Sequence, residues 1–391
     1  MGQIMNSRGL QIFQHLFNGV NPAEISDVQF RVGKPIYLHT KSGLVADTTL
    51  PPLDVATICD VAALLFDLQE RSEGFDHVDF SGDVAETLKT HQVMDFSSNG
   101  IPLADGSVTG RMRIQVHLSM SGPGITCRIL SDNIPSIDVL GLSKDTVFAM
   151  QEFVKRRQGF ALVTGQTGSG KSTTLAALLN WLRLNHPRHI VSIEDPIEYR
   201  YDAQDAAGQF SLGLMTQQEV GKHLKTYHQG LKDALRKAPH VVLIGEIRDR
   251  ETMETAIEAA QTGHIVLSTL HTNGAVKTLS RILEFFPQAQ HKSILGRLSE
   301  ILLFILSQGL IPTESGRVLN YEFLQNNSSA VRSGIASYDG GEKSLEDAIL
   351  HTGNIAWDKN LSRLHQEGRI SLEQYQNNRM YEDDSVDLSQ L

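Results

Sequence analysis

The sequence is poor in cysteine, in positive charge and in long apolar runs, and each shortage removes a class of protein. Two cysteines, Cys59 and Cys127, stand far apart in 391 residues. They can build neither a disulfide framework nor a four-cysteine zinc site, and they fit a reducing compartment. Lys and Arg number 35 against 45 Asp and Glu, a formal charge of -10, so no global basic field draws the chain to nucleic acid. Nucleic-acid binding is therefore not expected. The longest greasy stretch, Ile301 to Leu306, falls far short of the roughly 18 residues that a membrane helix needs. The opening MGQIMNSRGL lacks the basic start and apolar core of an export signal. The expectation is a cytoplasmic chain with no transmembrane insertion of its own, reaching any membrane through partners.

What is present suffices for ordinary cores: 40% hydrophobic and 20% charged residues, in a length that suits two or three domains. Residues 1–135 read as a mixed α/β segment. DVQFRVG and PIYLHT alternate as short strands around a turn at Gly33, Lys34 and Pro35. In DVATICDVAALLF, Val55, Ile58, Cys59, Ala62 and Leu65 share one helical face, which assigns Cys59 to a core. RMRIQVHLSM and GITCRIL read as hairpin partners across SGPG, and the polar stretch of about residues 81–110 reads as an insertion. After a linker at Ser131 to Leu142, residues 136–320 repeat strand, turn and helix, which implies a parallel sheet covered by helices. Residues 321–391 read as a helical segment with an acidic tail, and SLEQ at Ser371 to Gln374 has capping-box spacing.

The densest chemistry lies in FALVTGQTGSGKSTTLAALLNWL, where Gly165 to Ser172 fits G-x-x-x-x-G-K-[ST] between a strand-like and a helix-like run. In that setting the nucleotide-binding stretch is Gly165, Gln166, Thr167, Gly168, Ser169, Gly170, Lys171, Ser172 and Thr173, with the backbone N–H groups of Gly168 to Lys171 pointing inward at a phosphate. The dipole of the following helix assists them, and the glycines admit an approach that a Cβ blocks. Lys171 would reach the β- and γ-phosphates of ATP, and Ser172 would hold Mg²⁺. Three further apolar runs end in polar residues: HIVSIEDPIE delivers Glu194, Asp195 and Glu198, HVVLIGEIRD delivers Glu246, Arg248 and Asp249, and HIVLSTLHT delivers Thr269, His271 and Thr272. In an open parallel sheet ligands sit beyond the carboxyl ends of the strands, so the three ends point to one shared site. A helix cap is the other reading for any single acid. Glu246 stands where a Walker B acid stands and would hold Mg²⁺ through water. Glu198 is the candidate for orienting the attacking water, with Glu194 second. His264 and His271 have no zinc-binding spacing; His271 reads as a sensor of the γ-phosphate or of a neighbouring subunit, and His264 as structural or functional in equal measure.

Taken together, GQTGSGKSTT, SIEDPIEY, LIGEIRDRETMETAIEAAQTGHIVLSTLHTNGAVKTLSRILEFFP and SDVQFRVGKPIYL resemble the PilT-like secretion ATPases, the motors of type IV pili and of type II and type IV secretion. The resemblance runs from about Ser26 to Ala330 and covers the family's Walker A loop, Asp box (Ile193 to Tyr199), Walker B segment and His box (Thr262 to His271). It implies a PAS-like α+β N-terminal domain before a RecA-like P-loop ATPase domain. It also implies a ring hexamer and work on a membrane-embedded secretion or pilus platform at the inner membrane. Arg111, Arg113 and Arg128 match the family's phosphate-sensing arginines; on the residues alone they are basic positions on strands. The absence of cysteine after Cys127 separates the chain from the branches that carry a four-cysteine motif. Two branches remain: the DotB-like ATPases of type IVB secretion and conjugation, and the pilus-retraction motors. AVRSGIASYDGG stands where retraction motors carry an AIRNLIRE-like stretch, and RKAPHVV where they carry DPD, which favours the DotB-like branch. A nucleotide-gated adaptor that does not hydrolyse ATP is the reading from another class.

Overall fold

The computed structural model describes residues 7–18, 24–40, 43–68, 87, 93–103, 106, 108–130, 133–201, 210–314, 316–339 and 354–380. The chain forms two compact units, one comprising Met1–Asn133 with Glu198–Arg200, the other Ile134–Ile197 with Tyr201–Leu391.

The first unit contains helix α1 (Arg8–Leu16), strands β1 (Ile25–Arg31), β2 (Ile36–Thr40) and β3 (Gly43–Asp47), helix α2 (Val55–Asp67), and strands β4 (Val93–Ser98), β5 (Met112–Ser119) and β6 (Gly122–Ile129). The strands make one antiparallel sheet in the order β3-β2-β1-β6-β5-β4. The expected β1–β2 turn and the β5–β6 hairpin are both present, with Ser119 opposite Gly122 at the hairpin tip. Alternation in β5 sends Met112, Ile114 and Val116 inward, where they meet Phe13, Phe30, Ile58 and Leu65 in one apolar cluster. This is the expected α+β arrangement. Two expectations need correction. The stretch assigned to an insertion contributes β4, because Met94 and Phe96 alternate as β-residues against β5; residues 81–86 and 88–92 lie outside the described residues. Helix α2 is also rotated from the face assumed for it. Asp54 caps it by accepting from the Thr57 N–H, Val61 and Leu64 turn inward, Val55 is exposed, and Cys59 is only partly buried. Cys127 is the fully buried thiol, raised well above its ordinary pKa by burial and then by Asp27, and so unreactive.

The second unit runs α3 (Lys144–Val154), β7 (Gly159–Thr164), α4 (Lys171–Asn185), β8 (His189–Glu194), β9 (Leu214–Glu219), α5 (Tyr227–Leu235), β10 (Val241–Ile244), α6 (Arg250–Gln261), β11 (Ile265–Leu270), α7 (Ala275–Glu284), α8 (His291–Ile301), β12 (Leu302–Thr313), β13 (Gly316–Gln325), α9 (Ser329–Ala336), α10 (Trp357–Gln366) and α11 (Leu372–Asn377). The sheet order is β13-β12-β7-β11-β10-β8-β9, parallel throughout except for β13. Every residue of β7, β10 and β11 is buried, as continuous Val/Ile/Leu runs require when helices cover both faces of a parallel sheet. Apolar clusters accordingly lie on both faces, one with α6, α7 and α8 and the other with α3 and α4. This is the RecA-like α/β order that the strand–turn–helix repeat implied. Strand β9, LMTQQE, escapes sequence reading because it is a polar edge strand. Strand β13 completes the sheet, so the expected boundary at residue 320 falls inside a strand and the segment after it is not wholly helical. Beyond it, α10 and α11 fold as a helical hairpin over Ile311, with Leu361, Leu364, Ile370 and Tyr375 buried between them. The capping box at Ser371 forms as expected.

Candidate functional site

The loop from Gly165 to Ser172 joins β7 to α4, and its shape is fixed by glycines and by β12. Gly165, Gly168 and Gly170 all have positive φ (140°, 79° and 89°). A Cβ on Gly165 would lie 2.1 Å from the Gln308 carbonyl oxygen, so no other residue fits there, whereas Gly168 faces open space. Gln308, buried on β12, holds the loop from beneath. Its Nε2 donates to the Ser169 carbonyl (2.7 Å), and its Oε1 accepts from the Thr174 hydroxyl (3.0 Å). Lys171 is buried and its ammonium donates to the carbonyls of Gly165 (2.9 Å) and Gln166 (3.0 Å). Ser172 is exposed at the start of α4. The Ser169 hydroxyl is buried with no hydrogen-bond partner among the described residues. A strand-to-helix loop with an orphaned hydroxyl, a lysine in its throat and a helix N-terminus behind it fits a bound phosphate chain.

Strand register brings the expected polar ends to this loop. Thr164 pairs with Leu270 and Ile244 with both Ser268 and Ile193, so the residues after β11, β10 and β8 emerge side by side. Glu246 lies between two cationic or basic partners: Arg248 Nε donates to one oxygen at 2.9 Å, and His271 Nε2 stands 3.4 Å from the other. Arg248 also reaches Asp195 at 3.6 Å. Glu194 is turned aside, accepting from the Ser192 hydroxyl (2.6 Å) and the Gln217 amide (3.3 Å). Asp249 is a helix cap as the plainer reading allowed, accepting from the Thr252 N–H (2.7 Å). His264 is structural, its Nδ1 set 3.2 Å from the Ala259 carbonyl before β11.

The remaining expected residues lie in the first unit. Glu198 is half-buried; its carbonyl accepts from Arg111 Nη2 at 3.0 Å, and its carboxylate makes no hydrogen bond or ion pair among the described residues. Arg128 pairs with Asp27 on one side (Nε–Oδ1 2.9 Å) and stands opposite Arg113 on the other, while Arg111 is buried ahead of β5.

Sequence reading missed four contributors. Gln308 and Ser307 are a polar pair inside an apolar run, which is a visible signal; the Ser307 hydroxyl accepts from the Gly274 N–H (2.7 Å). Glu322, buried on β13, accepts from the Ala275 N–H (2.5 Å) and so seats the start of α7, just past His271. Tyr227 reaches the acid cluster from α5, its phenol held far above its ordinary pKa by burial and then by the charge of Asp195, which makes it a neutral hydrogen-bond donor. No signal marked Glu322 or Tyr227, since only folding brings them to the strand ends.

Mg²⁺ in nucleotide sites takes most of its ligands from phosphate and water, needing one or two hard oxygen donors from the protein. Ser172 and Glu246 supply a hydroxyl and a carboxylate, which fits. Among the described residues no helix is long and apolar enough to cross a membrane.

The family model described as "Type II/IV secretion system protein" matches residues 77–376. The type IV pilus retraction ATPase PilT of Pseudomonas aeruginosa is 35% identical over 300 residues, 76% of this chain and 78% of that one. The crystal structure of the pilus retraction motor PilT with bound ADP superposes with a TM-score of 0.75 at 32% identity, covering 98% of both chains. The ATPase DotB of Legionella pneumophila shares the fold, with a TM-score of 0.76 at 24% identity over 94% of this chain and 93% of that one.

Proposed function

The chain belongs to the family of type II/IV secretion system proteins, and on that premise we propose that it is a Mg²⁺-dependent ATPase working as a cytoplasmic ring hexamer on a membrane-embedded platform. The observation that carries the reading is the P-loop stapled by Gln308, flanked by Glu246, Arg248 and His271 at neighbouring strand ends. When a triphosphate enters, Lys171 exchanges the Gly165 and Gln166 carbonyls for phosphate oxygens, and the loop N–H groups hold the rest. Ser172 and Glu246 would hold the metal ion, which neutralises charge developing on the transferred phosphoryl group. Glu198, whose carboxylate has no partner among the described residues, orients the attacking water. Glu194 is the weaker candidate because two donors already hold it to the side. His271 reports the state of the phosphate to Glu246 across their 3.4 Å contact. On the resemblance, Arg111, Arg113 and Arg128 are the residues that sense phosphate. Hydrolysis removes those charge contacts, and the difference in affinity between the two nucleotide states moves the domains.

For the cargo, we assign the DotB-like role in type IVB secretion or conjugative transfer. The support is the pattern at Arg236 to Val242 and the shortened Ala330 to Gly341 stretch. Pilus retraction is the second reading, favoured by the 35% identity to a retraction ATPase. Phosphate release measured on the purified chain tests the enzyme: Lys171→Ala and Glu198→Gln should abolish it, and full turnover in either would end the site assignment. Deletion of the gene in its host separates the two roles. Loss of macromolecular transfer with surface motility intact supports the first, and the reverse supports the second.

A further inference from the structure

The segment after β8 carries Asp195 and Glu198, and the edge strand β9 spends two of its side chains on that segment's backbone. Gln217 and Glu219 stand two residues apart on β9 and so share a face of it. Glu219 pairs in register with Glu194, the last residue of β8. One of its carboxylate oxygens accepts from the Ile197 N–H (3.2 Å), and the other meets the Lys222 ammonium at 2.7 Å. Gln217 accepts from the Tyr201 N–H through Oε1 (3.4 Å) and donates to Glu194 through Nε2 (3.3 Å). Glu198 lies between the two fastened N–H groups.

Both fastenings are themselves braced. Glu219 is 5% exposed, and a carboxylate so far from water needs the countercharge that Lys222 brings. The loop that follows is closed on itself. The Glu219 N–H donates to His223 Nδ1 (2.9 Å), the His223 N–H returns to the Glu219 carbonyl (2.8 Å), and the Val220 N–H donates to the Glu194 carbonyl (2.8 Å). At the other fastening the buried Arg183 guanidinium lies 5.6 Å from the centre of the Tyr201 ring. None of this is needed to pair β9 with β8, because the ladder is made by backbone alone. Both oxygens of Glu219 are taken, so it acts on the backbone of the segment and not on a ligand.

Resting on the ATPase reading above, we propose that Glu219 and Gln217 are positioning residues, which fasten the chain at Ile197 and Tyr201 and so fix where the Glu198 carboxylate stands for the attacking water. The polar character of β9 then serves the segment beside it more than the sheet.

Phosphate release and calorimetric ADP affinity, measured on the same full-length variants, test this. Glu219→Ala should lower kcat about 10²-fold, the loss that a misplacement of about 1 Å brings to an aligned group. Its ADP dissociation constant should be unchanged, because the P-loop is untouched. Glu219→Gln, which keeps an oxygen for the Ile197 N–H, should restore most of the lost turnover. Gln217→Ala, which strands no charge, should show the same split between kcat and ADP affinity to a smaller degree. Unchanged kcat in either alanine variant, or ADP affinity falling in step with kcat, would overturn the positioning role alone. So would a loss in Glu219→Gln as large as in Glu219→Ala, since it would assign the effect to the stranded Lys222 charge. An unaltered chain that releases no phosphate from ATP would overturn the ATPase reading and the positioning role together.

Discussion

Strands β8, β10 and β11 have histidines at or immediately before their amino ends, His189, His240 and His264, and acids or a further histidine at or just past their carboxyl ends, Glu194, Glu246 and His271. The two edges of one sheet thus use the same side chain for opposite purposes. At the amino edge each imidazole is spent on backbone: the His189 N–H donates to His240 Nδ1 (3.0 Å), His189 Nδ1 meets the Lys237 carbonyl (3.1 Å), and His264 meets Ala259. At the carboxyl edge His271 is exposed and faces a carboxylate. Residue type does not decide the role; the strand end does. The carboxyl ends feed loops that lead into helix N-termini, which is where anions collect.

The sharpest way to break this comparison is to remove the cation of the carboxyl edge. Lys171→Ala should lower phosphate release by roughly 10²–10³-fold, the range for loss of one preorganised donor to transition-state charge. A variant that turned over at the unaltered rate would place the chemistry elsewhere. The paired comparison comes next: His271→Ala should slow release by roughly 10²-fold, the lower end of what one positioned side chain contributes, whereas His264→Ala should change melting temperature and leave turnover per folded molecule as it was. Equal effects on turnover would erase the distinction between the edges. A third variant probes the support beneath the loop. Gln308→Leu strands the Ser169 carbonyl and the Thr174 hydroxyl, at a cost of about 1–3 kcal/mol for a buried polar group left unpaired. It should raise KM for ATP more than it lowers kcat, because the loop loses its shape before it loses Lys171.

Legibility followed the same division. The P-loop, the strand ends and the β5–β6 hairpin could be read because their signals are local: a fixed spacing, an apolar run ending in acids, a period of two. The strand–helix repeat announced a parallel sheet for the same reason. What could not be read is whatever depends on strand order. Nothing in the sequence says that β12 lies beside β7 rather than at an edge, yet that adjacency alone makes Gln308 the P-loop staple. Strand β4 was hidden by its polar surroundings, and the rotation of α2 by an exposed valine whose spacing matched the buried ones.

The smallest expected effect lies at the amino edge and concerns pH. His240 has its pKa lowered, first by partial desolvation and then by the charges of Arg188, His189 and His264. The geometry gives the same sign, since Nδ1 accepts the His189 N–H and protonation would remove that acceptor. The folded state therefore binds the proton less readily than the unfolded chain does. The stabilising contribution is present above the ordinary histidine range near 6.5 and fades as pH falls through it and toward the lowered folded value. Melting temperature followed from pH 7.5 down to pH 5.5 should drop less steeply in His240→Gln than in the unaltered chain, because one proton-linked group is gone. Parallel curves would remove His240 from the proton linkage of folding. Phosphate release over the same interval should be unchanged by His240→Gln once corrected for folded fraction, since the imidazole lies at the end of the strand where no phosphate binds.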